Sequence, residues 1–338
     1  MQLELSYFSV RIEYMDNQEF LKRINYQGDI KYLLSQICSD YYLGEYSSHK
    51  IIKTGYEDCN IILATSKDSY FVKIFGDFRT KGDCIRYIDL MVKVVESGVN
   101  HPKLYKNKEN YLYEFKNPKG YAYLCVMELV DGDSFYDLQI NPSAEEIINI
   151  TKQASIINSI DLRPPFTYDS WAIPNFLLEY EKIKEHFTPN DINLLQPLIS
   201  KFKNFDLDIL PHCFVHSDLI KTNVMKSRNG QIYLIDFSVA NYYPRIQELA
   251  VLLCNLFFDK NNFSNYRETY DTVLSVYQER IKLQPIEINT LPFFIKLAHA
   301  MHIVGATKEK IVNKNDSQEN YYWLDFGRVG LKFMNEQF

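Results

Sequence analysis

The pattern of apolar and polar positions changes character about 130 residues into this chain of 338 residues. Before that point, short runs with a period of two residues predict β-strands. These runs cover residues 50–54, 60–65, 69–75, 111–115 and 121–129. Two segments with the spacing of an amphipathic helix, 29–42 and 84–97, lie among the strands, and Gly98 is suited to cap the second. Residues 1–28 show no sustained pattern.

After residue 133 the pattern becomes helical. Ser143 and Glu146 have the spacing of a capping box, which predicts a helix from there to about residue 160. Further helices are predicted at 175–187, at 191–204 and beyond residue 249. The chain is therefore predicted to have an α+β fold with two parts. Its N-terminal lobe covers residues 1–127, a hinge covers 128–133, and a mainly helical C-terminal lobe covers 134–338.

Composition narrows the class of partner. The chain carries 37 Lys and Arg against 43 Asp and Glu, a net charge of −6, which disfavours a broad nucleic-acid-binding surface. No window approaches the roughly 18 consecutive apolar residues of a membrane span, and the first residues lack the features of a signal peptide. The six cysteines are dispersed, which is typical of reduced thiols. We therefore expect a cytoplasmic protein with neither a nucleic-acid nor a membrane partner, and the sequence carries no signal for an oligomeric state.

Several catalytic motifs are absent from the sequence. It contains no Walker A loop, no G-x-G-x-x-G, no G-x-S-x-G and no H-E-x-x-H. The histidine pairs His212/His216 and His299/His302 have no cysteine or carboxylate partners at ligand spacing, so a zinc site is not expected.

The residues that indicate chemistry lie between 213 and 240. An apolar strand leads into His216 and Asp218, Asn223 follows five residues later, and Asp236 ends the next apolar strand. Phosphoryl transfer from a nucleotide needs one carboxylate to orient the attacking hydroxyl, and a second carboxylate with an amide oxygen to hold Mg²⁺. This spacing therefore predicts Asp218 as the catalytic residue and Asn223 and Asp236 as metal ligands. Taken singly, Asp218 is also compatible with a turn and Asn223 with a helix cap.

This segment resembles the motif of the aminoglycoside phosphotransferase and choline kinase family, which are small-molecule relatives of the protein kinases. Three positions depart from the usual pattern: Ser217 replaces Gly, Ser238 follows Asp-Phe in place of Gly, and Glu248 begins a Glu-Leu-Ala where Asp-Leu-Ala is common. The resemblance implies a bilobal protein-kinase-like fold with an antiparallel-sheet N-terminal lobe. It also implies that His216 has a structural role in the catalytic loop.

The resemblance extends upstream and implies a nucleotide site. Residues 54–60 occupy the place of the nucleotide-covering loop, which makes Gly55 and Asn60 candidates for nucleotide binding. Lys73 lies in a strand where the family has the lysine that binds the α- and β-phosphates. The backbone near Glu128 and Val130 corresponds to the hinge that contacts adenine.

The partner of Lys73 is expected on the helix that follows it. Asp89 is the first candidate for this carboxylate, and Asp83 and Glu96 are the rivals. The family usually has a glutamate at this position, and the sequence has none at the expected place.

Together these features predict an enzyme that transfers the γ-phosphoryl group of ATP, with GTP not excluded, to a hydroxyl of a small molecule. Aminoglycosides, choline or ethanolamine, homoserine and sugars all stay open as acceptors. Five aromatic residues are candidates for the acceptor pocket: Tyr168, Trp171, Tyr321, Tyr322 and Trp323. The alternatives are a nucleotide-binding pseudokinase and an interaction protein with the same fold. A protein kinase is disfavoured because the chain lacks a glycine-rich loop and an A-P-E-like segment.

Overall fold

A computed structural model describes residues 21–52, 58–118 and 120–337 of the chain. The assignment of Gly55 to the nucleotide site lies outside these residues, as do the last two residues of the strand predicted at 50–54. Within the described residues, helix α1 covers Ile30–Asp40 and helix α2 covers Lys81–Glu96. Both agree with the predicted helices. Helix α2 begins three residues earlier than predicted because Thr80 and Asp83 form a capping box.

The N-terminal lobe is built on a six-stranded antiparallel sheet with the order β1-β2-β3-β6-β4, and β5 pairs with another part of β6. Its strands are β1 (Tyr46–Ile52), β2 (Cys59–Thr65), β3 (Ser69–Ile74), β4 (Leu104–Tyr105), β5 (Tyr113–Asn117) and β6 (Gly120–Glu128). The register aligns Asn60, Lys73 and Cys125 on three neighbouring strands, so their side chains share one face. Apolar side chains of the opposite face pack with α1 in a core of their own.

The C-terminal lobe combines helices with two small antiparallel sheets, of order β10-β9-β7 and β11-β8. Its strands are β7 (Gly132–Ser134), β8 (His212–Val215), β9 (Val224–Ser227), β10 (Ile232–Leu234) and β11 (Asn241–Pro244). Its helices are α3 (Phe135–Leu138), α4 (Ala144–Asn158), α5 (Phe176–Ile183), α6 (Pro189–Phe202), α7 (Ile246–Val251), α8 (Tyr266–Arg280), α9 (Pro285–Val312) and α10 (Gln318–Gln337). A π-helical turn at Leu252–Leu256 continues α7. The capping box predicted at Ser143 and Glu146 opens α4.

Strand β6 ends at Glu128 and β7 begins at Gly132, so the chain leaves the first sheet and enters the second within the predicted hinge. The larger apolar core does not stop at this boundary. Helix α2 and the cleft-side residues Cys125 and Met127 pack in the same core as the C-terminal helices. Among the described residues, no helix is both long and apolar enough to cross a bilayer.

Candidate active site

The predicted catalytic loop is anchored by His216, which is fully buried directly after β8. Its Nε2 atom lies 3.0 Å from the carbonyl oxygen of Ile235, and its Nδ1 accepts a hydrogen bond of 3.3 Å from the backbone N–H of Asp218. These two contacts require a proton on Nε2 and none on Nδ1. Burial lowers the pKa of His216 to about 4, in agreement with a neutral ring. The histidine thus ties the loop to the strand that precedes Asp236.

Glu248, at the first turn of α7, holds the same loop from the other side. Its two carboxylate oxygens accept hydrogen bonds from the backbone N–H groups of His216 (3.1 Å) and Ser217 (3.0 Å). Ser217 has a left-handed backbone with φ of +73°. Glycine adopts this conformation at least cost, which explains why the related motif usually has Gly here. The Oγ atom of Ser217 accepts a hydrogen bond of 3.1 Å from Gln247.

We expect the Glu248→Gln variant to remove one component of the pH dependence of stability. Burial raises the pKa of Glu248 to about 7 from its ordinary value of 4.5. Between these two values the folded state keeps a proton that the unfolded state has released, so this group stabilises the fold less as the pH rises. Urea unfolding is measured from pH 4.5 to 7. Over this range we expect the free energy of unfolding of the wild type to fall, relative to that of the variant, by up to about 1.4 kcal/mol per pH unit. Parallel curves for the two proteins would contradict this assignment.

Asp218 and Asn223 form a joined pair in the loop. The Nδ2 atom of Asn223 donates hydrogen bonds to Oδ2 of Asp218 (2.7 Å) and to its backbone oxygen (3.0 Å). Burial and the negative charges of Asp169 and Asp236 raise the pKa of Asp218 well above its usual range. The backbone oxygen of Asn223 accepts a hydrogen bond from Ile235 N–H (2.9 Å), so Asn223 is held beside the strand end that carries Asp236. The three residues predicted from the motif are therefore brought together.

Asp236 is held in a left-handed conformation, with φ of +67°. Such a backbone is uncommon for a residue other than glycine and is found preferentially at functional sites. Its Oδ1 atom accepts hydrogen bonds from the hydroxyl of Tyr87 (2.9 Å) and from the N–H of Ser238 (3.2 Å). Burial favours the protonated form, but the charge of Lys73 and the bonds from Ser238 and Tyr87 hold the pKa of Asp236 well below its usual range. Asp236 is therefore ionised near neutral pH.

The structure pairs Lys73 with Asp58, and the prediction of Asp89 is wrong. The Nζ atom of Lys73 lies 2.9 Å from Oδ2 of Asp58, and both side chains are buried, with exposed fractions of 9% and 4%. Oδ1 of Asp58 accepts hydrogen bonds from Arg79 Nε and from the N–H of Gly76, each of 3.0 Å. Burial opposes ionisation, but the charges of Lys73 and Arg79 outweigh it and lower the pKa of Asp58.

None of the three helical residues that were considered as partners contacts Lys73: two are exposed, and one forms the helix cap. Asp89 and Glu96 are exposed on α2. Asp83 accepts hydrogen bonds from the backbone and hydroxyl of Thr80 in the helix cap.

Of the other predicted nucleotide residues, Asn60 lies on the same side of the sheet as Lys73. Asn60 pairs with Lys73 across β2 and β3, and its side-chain oxygen is buried without a hydrogen-bond partner in the part of the chain that the structure describes. The N–H of Glu128 donates to the carbonyl of Lys103 (2.8 Å), so this amide belongs to the strand pairing. Of the predicted hinge groups, the amide of Glu128 is therefore already bonded within the protein.

Sequence reasoning missed four residues around this centre. Asp58 bonds Lys73, and Tyr87 bonds Asp236. Asp169 contributes negative charge near Asp218. Arg86 donates hydrogen bonds to the carbonyls of Pro165, Ser238 and Ala240. A carboxylate directly after the glycine-containing loop was the available signal for Asp58. The other three become visible only when the helix and the loops are packed together.

The predicted aromatic residues divide into two groups. Trp171 and Trp323 both contact His302, with ring centroids 6.1 Å and 5.1 Å away, and Tyr322 packs edge-on against Trp323. The Trp171 ring lies so close to α9 that a Cβ added at Gly305 would be 2.2 Å from it. Two other tyrosines have charged partners: Tyr168 donates to Glu179, and Tyr321 accepts from Lys310.

The four histidines considered for zinc also have protein partners. His212 lies 2.8 Å from the carbonyl oxygen of Leu210, and His216 is bonded in the catalytic loop as described above. His299 lies 3.3 Å from the sulfur of Cys254, and His302 lies 2.5 Å from Oδ1 of Asn255.

Comparison with known proteins agrees with this geometry. A family model described as the phosphotransferase enzyme family matches residues 48–283. A homoserine kinase of Bradyrhizobium diazoefficiens is 34% identical over 278 residues, covering 78% of this chain and 80% of that protein. A homoserine kinase of Parvibaculum lavamentivorans is 21% identical over 277 residues, covering 78% and 81%.

Solved structures with a similar fold are more distant in sequence. A spectinomycin phosphotransferase in complex with ADP and spectinomycin has a TM-score of 0.65 at 14% identity, covering 91% of this chain and 98% of that one. A choline kinase from Streptococcus pneumoniae has a TM-score of 0.61 at 15% identity, covering 90% and 99%. These likenesses confirm the predicted bilobal, protein-kinase-like α+β fold.

Proposed function

The chain belongs to the phosphotransferase enzyme family and is a small-molecule kinase, and from this premise we propose that it transfers the γ-phosphoryl group of Mg·ATP to the hydroxyl of homoserine. The observation that carries the proposal is the joined set of Asp218, Asn223 and Asp236 beneath Lys73. Phosphoryl transfer depends mainly on positioning and charge stabilisation, and this set offers both.

The donor set fits a magnesium ion. Asp236 is ionised and Asn223 offers an amide oxygen, and hard oxygen ligands of this type are those that Mg²⁺ prefers. Asp218 and Asp236 also repel one another, as the raised pKa of Asp218 indicates, so a cation between them would relieve that repulsion. When bound, Mg²⁺ would neutralise phosphate charge. We assign Asn223 and Asp236 as the residues that hold it.

The remaining roles follow from position. Lys73 binds the α- and β-phosphates, Asn60 lies on the same face of the sheet, and Asp218 orients the acceptor hydroxyl and accepts its proton. We place the hinge at 128–133, between a nucleotide-binding lobe of residues 1–127 and an acceptor-binding lobe of residues 134–338. The backbone of Glu128 and Val130 would contact the adenine.

The acceptor is proposed from two lines of support. Asp169 and Asp218 give the acceptor side of the site negative charge, which favours an acceptor with an ammonium group. The curated relatives that cover most of the chain are named homoserine kinases. Choline has a quaternary ammonium group, and ethanolamine and aminoglycosides have amines, whereas a neutral sugar has neither group. We expect the reaction to take place in the cytoplasm, where ATP is available and thiols such as the six free cysteines stay reduced.

An acceptor panel tests the proposal. The purified protein is incubated with Mg·ATP and homoserine, ethanolamine, choline, spectinomycin or glucose, and ADP release is measured. We expect the highest kcat/KM with homoserine and none above background with glucose. A thermal shift with Mg·ATP without turnover of any acceptor would support a pseudokinase, and the absence of any shift would support an interaction protein. A higher kcat/KM with another amine would retain the kinase activity but overturn homoserine.

A further inference from the structure

We propose that Tyr87 is a positioning residue that orients Asp236 for metal binding, while Asp58 supplies the carboxylate for Lys73 that was expected on helix α2. This inference rests on the proposed function, because it assumes that Asp236 holds the metal. It concerns how the site is held together, and it assigns helix α2 a hydrogen bond to the metal ligand rather than an ion pair with the lysine.

Tyr87 lies at the centre of the site although it comes from the N-terminal lobe. Its side chain is buried in the middle of α2, where its ring packs edge-on against Phe75 at 5.7 Å between centroids. The Nζ atom of Lys73 lies 5.2 Å from the centre of the Tyr87 ring, which is within cation–π distance. The hydroxyl donates to Oδ1 of Asp236 at 2.9 Å. One side chain therefore contacts both the phosphate-binding lysine and the metal-binding carboxylate.

The direction of this hydrogen bond determines which carboxylate oxygen is occupied. The hydroxyl of Tyr87 and the N–H of Ser238 both donate to Oδ1, and the side chain of Ser238 also bonds the carboxylate. A tyrosine hydroxyl ordinarily carries its proton near neutral pH, so Tyr87 acts as the donor to the carboxylate of Asp236. These bonds hold the carboxylate of Asp236 in one orientation.

Helix α2 offers Lys73 no carboxylate of its own. The three acidic residues of this helix are Asp83, which belongs to the helix cap, and Asp89 and Glu96, which are exposed. Tyr87 occupies the helical position that faces Lys73, and Asp58 approaches Lys73 from the start of β2. The lysine is therefore paired from within the sheet. The helix is coupled to the metal carboxylate instead.

The experiment compares Tyr87→Phe with Tyr113→Phe. The first variant keeps the ring under Lys73 and loses only the hydroxyl bond to Asp236. The second loses a bond of the same kind, from a phenol to Oδ2 of Asp40 at 2.7 Å, on the side of the sheet that faces α1. For Tyr87→Phe we expect the Mg²⁺ concentration that gives half-maximal activity to rise about tenfold, as is typical when a hydrogen bond to a charged group is lost. Tyr113→Phe should keep the wild-type value.

Thermal shifts give a readout independent of turnover. Tyr87→Phe should show a smaller shift than the wild type with Mg·ADP and an equal shift with ADP in EDTA. An unchanged Mg²⁺ requirement in Tyr87→Phe would overturn the proposal, as would equal changes in both variants. The proposed function is tested separately by Asp236→Asn. If that variant keeps the wild-type response to Mg²⁺, the metal-binding role of Asp236 is wrong irrespective of Tyr87.

Discussion

The Asp218→Asn variant is expected to lose at least about 100-fold in kcat, because a positioned general base contributes about 10² to 10⁴ to the rate. The asparagine side chain fills nearly the same space, but it cannot accept the proton of the acceptor hydroxyl. Steady-state ADP release with saturating Mg·ATP and homoserine measures the effect. The thermal shift by Mg·ATP should persist, since the proposed metal ligands are Asn223 and Asp236.

A control variant that also loses one aspartate charge separates the expected loss of kcat from the effect of a change in net charge. Asp133 is exposed on β7 at the end of the hinge segment, and Asp133→Asn removes one negative charge from a side chain to which the proposal gives no role. We expect this variant to retain the wild-type kcat. If Asp218→Asn turns over as fast as Asp133→Asn, the catalytic role assigned to Asp218 is wrong.

The Asp58→Ala variant is expected to lower the free energy of unfolding by about 3 kcal/mol, the lower end of the range for removing one partner of a buried ion pair. Lys73 and Arg79 would keep their charges without the carboxylate that lies 2.9 Å and 3.0 Å from them. The N–H of Gly76 would also lose its acceptor. We further expect a higher KM for ATP, because Lys73 would no longer be held in place. Urea unfolding and ADP release measure the two effects.

Asp89→Ala is the control, because Asp89 is the partner that the sequence predicted. It is exposed on α2, and exposed substitutions of this type usually change stability by less than about 0.5 kcal/mol. We expect near wild-type stability and KM for ATP. Equal losses in the two variants would contradict the pairing of Lys73 with Asp58, and a larger loss in Asp89→Ala would restore the original prediction.

The difference between these two aspartates shows what sequence reasoning captured. Asp218, Asn223 and Asp236 lie within one strand–loop–hairpin unit, so their spacing along the chain largely determines their spacing in space. The partner of Lys73 depends instead on which face of α2 is turned inward. Consecutive helical residues differ by about 100°, so Asp89 lies about 200° around the axis from Tyr87 and faces away when Tyr87 faces the site.

The strands that were missed have a related cause. β4, β7 and β11 are two, three and four residues long, too short for a period of two to be distinguished from chance. They pair with strands far away in the sequence, as β7 does with β9. The longer strands of the first sheet and the capped helices α1, α2 and α4 carry their signal locally, and their predictions are confirmed within a few residues.

Arg86 links helix α2 to the C-terminal lobe. Its planar guanidinium donates to carbonyls in two segments of the C-terminal lobe, at Pro165 and at Ser238 and Ala240, and these bonds resist separation together. The neighbouring residue Tyr87 adds the bond to Asp236. Helix α2 is thus attached to the C-terminal lobe by hydrogen bonds and by a shared apolar core, although its sequence belongs to the N-terminal lobe. If the two lobes move apart, we expect the sheet to move relative to this helix.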